Sequence, residues 1–90
     1  MIDYIKAKAE QAGNHFFDKG TMRFFNSHIL PTVYKHDGKY RFITSEQFDD
    51  NAPRLYTIRE WDPSVEFCID TVGEFQQYAT RREAIADIYK

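Results

Sequence analysis

Val33-Tyr34-Lys35-His36-Asp37-Gly38-Lys39-Tyr40-Arg41-Phe42-Ile43-Thr44 is the stretch on which the fold turns. Two runs of β-forming residues flank Asp37-Gly38. That dipeptide supplies the positive backbone angles a tight hairpin turn needs, so the segment reads as strand, turn and strand. Pro31 stands just upstream. It cannot donate to a ladder, which places it at the start or the edge of the first strand.

Working outward toward the C-terminus, Ser45 to Pro53 is polar and acidic around Phe48 and reads as a surface loop. Leu55 to Trp61 reads as a third strand, Asp62-Pro63-Ser64 as a turn, and Val65 to Val72 as a fourth strand. Alternation in that fourth run puts Val65, Phe67 and Ile69 on one face, with Glu66, Cys68 and Asp70 on the other. Connections this short imply antiparallel pairing throughout. Beyond them, Thr80 with Glu83 three residues later is a capping box opening a last helix, whose buried stripe is Ala84, Ile85 and Ile88.

Toward the N-terminus the period changes to that of a helix. Ile2, Ile5, Ala9 and Ala12 recur at three- and four-residue spacing, with Lys6, Lys8, Glu10 and Gln11 on the other side. Gly13-Asn14 is the expected stop. Between this helix and the hairpin, Phe16, Phe17, Met22, Phe24 and Phe25 crowd a short segment, with Asp18 or Thr21 placed to cap a brief helix over residues 21–25. So many large rings imply that at least three of these five side chains are largely buried. The expectation is therefore an α+β fold of one domain, residues 1–90. A four-stranded antiparallel β-sheet is packed on one face by the N-terminal and C-terminal helices.

Composition limits the function. The chain has 90 residues with a formal charge of −2, and 17% of them are aromatic. No global positive field would hold a polyanion, so any nucleic-acid binding has to be local. Cys68 is the only cysteine and cannot form an internal disulfide, and the sequence shows neither a signal peptide nor a long apolar stretch. The resulting expectation is a cytoplasmic protein with no membrane association.

Chemistry is sparse. His15, His28, His36 and Cys68 show no metal-ligand spacing, and the four glycines are too scattered for a phosphate-binding loop. Cys68 falls within a predicted strand. Ser27-His28 are sequence neighbours whose side chains diverge, so neither supplies a nucleophile with its base. These readings imply no enzyme, no cofactor and no metal. Arginines beside aromatic residues offer more: Arg41, Arg54, Tyr56, Arg59 and Trp61 are the candidate binding residues. Were Arg41 and Arg59 to project from the same sheet face, they would form a basic stripe.

Four blocks carry a resemblance: FFDKGTMRFFNSHI at 16–29, GKYRFITSEQF at 38–48, PRLYTIREWD at 53–62 and IDTVGEFQQYATRREA at 69–84. In this order, over about residues 13–86, the sequence resembles an uncharacterised family of small proteins of phages and other mobile elements. The resemblance implies context rather than chemistry. It points to an accessory protein, in a bacterial host, that binds a host or phage protein, including an inhibitor of a defence system such as an anti-CRISPR. The alternative reading is a small nucleic-acid-binding module that uses the sheet's aromatics and arginines.

Overall fold

The computed structural model describes residues 1–65 and 68–90. In chain order the elements are α1 (Ile2–Gln11), α2 (Lys19–Phe24), β1 (His28–Ile29), β2 (Tyr34–His36), β3 (Lys39–Glu46), β4 (Leu55–Trp61), β5 (Ile69–Val72) and α3 (Arg81–Ala86). The sheet is antiparallel, as expected. β3 and β4 form its centre, β5 flanks β4, and β1 and β2 share the far edge of β3.

The turn chemistry explains the hairpin. Asp37 and Gly38 have φ of 52° and 77°, and His36 pairs directly with Lys39, which is a two-residue turn of the mirror-image type. β1 is an addition to the four expected strands. Between the pairs Ile29↔Thr44 and Tyr34↔Arg41 the edge advances five positions while β3 advances three. Pro31 lies in that break. Its missing N–H interrupts the ladder and divides what would be one edge strand into two short ones.

The helix ends follow from local sequence. Gly13, with φ 74°, lets Asn14 N–H reach the Ala9 carbonyl at 2.9 Å and close α1. Asn26 plays the same part for α2 with φ 47°, and Ser27 N–H donates to the Met22 carbonyl. α2 thus begins two residues before the expected start, after Asp18. At α3 the Thr80 hydroxyl accepts from Glu83 N–H at 3.2 Å, as the capping box implies.

The two terminal helices do not share a face. Cross-strand register puts Ile43 and Ile58 together on one side, where they pack with Tyr78, Ala84 and Ile88 under α3. Phe42 and Trp61 point to the other side and pack with Ile2 and Ile5 of α1. The expectation of one-face packing is corrected here. Both central strands carry apolar or sealed side chains on both faces, so the sheet is a middle layer with a core on each side.

Three further readings change. β3 runs on through Ser45 and Glu46, both buried, so the loop begins only at Gln47. The fourth strand is confined to Ile69–Val72, and its expected alternation at Glu66 and Phe67 lies outside the described residues. Cys68 is exposed just before that strand rather than inside it. Its thiol donates to Asp70 Oδ1 at 3.4 Å, and that carboxylate raises the thiol pKa.

Candidate functional site: a phenylalanine-lined cavity over a sealed carboxylate

On the α1 side of the sheet, Thr44 and Glu46 of β3 stand beside Thr57 and Arg59 of β4. Glu46 is 1% exposed. Its Oε1 accepts a 2.7 Å hydrogen bond from the buried Thr57 hydroxyl and lies 3.8 Å from Arg59 Nη2. Its Oε2 is buried and has no hydrogen-bond partner. Thr57 Oγ1 also accepts from Gln76 N–H at 2.8 Å, and Gln76 Nε2 donates to the Glu46 carbonyl at 3.2 Å. Those two bonds hold Gln76 at a φ of 58°, a conformation non-glycine residues rarely adopt.

Arg59 is nearly sealed as well. Nε donates to Thr44 Oγ1 at 3.1 Å and Nη1 to Thr71 Oγ1 at 2.7 Å. Its guanidinium carbon lies 5.3 Å from the Phe16 ring centre and 5.4 Å from that of Phe75. Burial lowers its pKa and the Glu46 charge opposes that shift.

Around this polar floor stand rings. A cavity of about 190 Å³ is lined by Phe24, Phe25, Glu46, Gln47, Phe48, Phe75 and Gln76. Phe25 packs edge-on against Phe24 at 4.8 Å and against Phe75 at 6.0 Å. Exposures are 81% for Phe24, 84% for Phe48, 45% for Phe25 and 42% for Phe75. At roughly 200 Å² per ring, the four leave on the order of 500 Å² of aromatic surface in water, toward the upper end of what monomers show.

This corrects the reading of the Phe-rich segment. Phe16 and Phe17 are only partly buried, packed against Phe42, Met22 is also only partly buried, and Phe24 and Phe25 are exposed. The Schellman turn at Asn26 ends α2 so that its last rings lie over the cavity rather than in the core.

Residues 1–89 match a family model described as a family of unknown function, DUF7447. The chain belongs to that family. No curated protein and no solved structure matches the chain.

The five residues singled out from sequence are dispersed. Arg41 and Arg59 project from opposite faces, since Arg59 pairs with Phe42, so no basic stripe forms. Arg41 is buried, with Nε donating to Glu60 Oε2 at 2.8 Å and Nη1 to the Ile88 and Lys90 carbonyls. Arg54 Nη1 donates to the Asn26 and Ser45 carbonyls and to Ser45 Oγ, tying the end of α2 to β3. Tyr56 packs into the α3-side core, and Trp61 is buried on the α1 side, stacked on Tyr40 at 5.5 Å.

Sequence reading missed Glu46 and its cavity. The signal was the period-two run Tyr40, Phe42, Thr44, Glu46, which continues the inward face of β3 into residues that otherwise look like loop. Among the described residues no group of three His, Cys, Asp or Glu side chains could hold a metal ion. No helix among them is long and apolar enough to cross a membrane.

Proposed function

We propose that this chain is a non-catalytic protein-binding module whose contact surface is the face carrying Phe24, Phe25, Phe48 and Phe75. The observation that carries the reading is this contiguous patch of exposed rings over a cavity. Exposed aromatic surface of this extent marks interaction sites, and aromatic residues dominate interface energetics.

The patch is smaller than the roughly 800 Å² each partner contributes to a standard interface. It therefore suits an inserted segment at the centre of a larger polar contact. The resemblance to small phage and mobile-element proteins supports a host or phage protein as the partner, with inhibition of host machinery as the consequence. The exposed rings also suit base stacking, which keeps single-stranded nucleic acid as the second reading.

The test is photo-crosslinking from benzoylphenylalanine at position 48, purification of the captured protein, and calorimetry against the wild type and a Phe24→Ser/Phe48→Ser variant. Saturable binding weakened about tenfold or more in the variant supports the reading. Equal binding to both forms overturns it. Self-association that disappears in the variant also overturns it, in favour of a homodimer interface.

A further inference from the structure

Resting on that reading, we propose that the phenylalanine-lined cavity receives a basic side chain of the partner, with its lysine ammonium or arginine guanidinium meeting Glu46 Oε2. Glu46 is almost wholly removed from water, yet one of its two carboxylate oxygens has no partner within the fold. Buried charged acceptors are nearly always paired, because leaving one unmade forfeits its hydration with nothing in return. Thr57 has already given its only hydroxyl proton to Oε1, and Arg59, whose Nε and Nη1 go to Thr44 and Thr71, places its Nη2 3.8 Å from Oε1 and leaves Oε2 without a hydrogen bond. The phenylalanine walls have no donor to offer. Oε2 is thus the acceptor that a ligand can complete.

The walls select the kind of donor. Ring faces carry negative potential and attract cations, and a desolvated cation near several rings gains more than one in water. An anion would meet the carboxylate and be repelled. A neutral apolar side chain would fill the space and leave Oε2 unpaired. Size agrees: the cavity holds about 190 Å³, whereas a cavity of roughly 150 Å³ accommodates benzene. The five heavy atoms of a butylammonium tip or the seven of a propylguanidinium are of that order. Phe48 at 84% exposure and Phe24 at 81% have little packing to lose as they swing aside to admit the group.

The experiment titrates the full chain, labelled with nitrogen-15, with n-butylammonium chloride and with propylguanidinium chloride. The controls are 1-butanol, which has the same shape without charge, tetramethylammonium chloride, which has charge without N–H donors, and sodium chloride. Saturable shifts of the Gln47, Phe75 and Gln76 amides are expected with the two N–H cations. They should be about tenfold or more tighter than with 1-butanol or tetramethylammonium, and should be lost in Glu46→Gln. Equal responses to butylammonium and 1-butanol in the wild type overturn the inference without recourse to any variant, as does an unchanged response in Glu46→Gln. Against the purified partner, binding lost in Phe24→Ser/Phe48→Ser but unchanged in Glu46→Gln overturns this inference and leaves the binding reading standing. Binding unchanged in both variants overturns both.

Discussion

Thr57 Oγ1 donates a 2.7 Å hydrogen bond to Glu46 Oε1, and the two side chains are sealed together inside the sheet. The same hydroxyl oxygen accepts Gln76 N–H. One residue therefore serves both a buried charge and a backbone held at positive φ. Thr57→Val keeps the shape and removes both roles. We expect a loss of about 2–4 kcal/mol in urea unfolding, because a buried charged acceptor and a partly buried N–H lose their partners at once. Adding Glu46→Gln should recover part of that loss, with a coupling of about 1 kcal/mol or more in the double-mutant cycle. Independent, additive effects would show that the pair does not act as a unit.

Arg59 is held by its geometry as well as by its charge. Two of its nitrogens reach different threonines, and its plane lies near two rings. Lysine offers a point charge and cannot keep both bonds. Arg59→Lys is expected to destabilise by about 2 kcal/mol despite preserving the charge, read from the same urea transitions. A change below about 0.5 kcal/mol would mean that only the charge near Glu46 matters.

The phenylalanines divide sharply. Phe42 is fully buried beneath α1, and truncation to Ala should cost about 3–5 kcal/mol. Phe24→Ser and Phe48→Ser should each stay within about 0.5 kcal/mol of wild type, since those rings are mostly in water already. Thermal or urea denaturation of the three single variants checks this ordering. A large loss at position 24 or 48 would make those rings structural and remove them from the proposed contact surface.

These residues also show what the sequence could and could not tell. Asp37-Gly38 and Thr80 act through their own backbone angles and nearest N–H groups, so local sequence determined the hairpin and the helix start. The side of the sheet on which a helix lands depends on connections whose path is settled by packing, and helical periodicity contains no such information. Glu46 shows the same limit more strongly. Its neighbours Gln47, Asp49 and Asp50 look like loop, and its burial depends on Thr57, Arg59 and Gln76, which become neighbours only after β3 pairs with β4. Counting rings between residues 16 and 25 likewise suggested core, whereas the positive φ at Asn26 closes the helix with its last two rings left exposed.

Tyr78 sets an alkaline limit. Burial pushes its phenol pKa up first, the hydrogen bond and charge of Asp87 push it further, and Arg41 pulls the other way. A folded pKa above the unfolded value of about 10 means the protonated phenol's contribution is complete below about pH 10 and is lost as pH rises through the folded value. Urea unfolding followed from about pH 9 upward should show this contribution flat to about pH 10 and stability falling above it in the wild type, less steeply in Tyr78→Phe. Parallel pH profiles for the two proteins would exclude Tyr78 as the source.

Salt dependence separates a protein partner from a nucleic acid. Each arginine–phosphate contact releases counterions and adds roughly 0.7–0.9 to the slope of log affinity against log salt. In this chain Arg41 is spent on Glu60 and two carbonyls, Arg59 on Thr44 and Thr71, and Arg54 on Ser45 and the Asn26 carbonyl. The rings that could stack with bases surround Glu46, whose charge repels phosphate, and the whole chain carries a formal −2. Fluorescence-anisotropy titration of single-stranded and duplex oligonucleotides should therefore show no appreciable binding at about 0.15 M salt. Micromolar binding with a steep salt slope, weakened in Phe24→Ser/Phe48→Ser, would mean that the rings stack on bases and would displace the protein-partner reading. Binding that survives loss of those rings but weakens in Arg54→Ala would place a nucleic-acid contact at the α2–β3 junction instead.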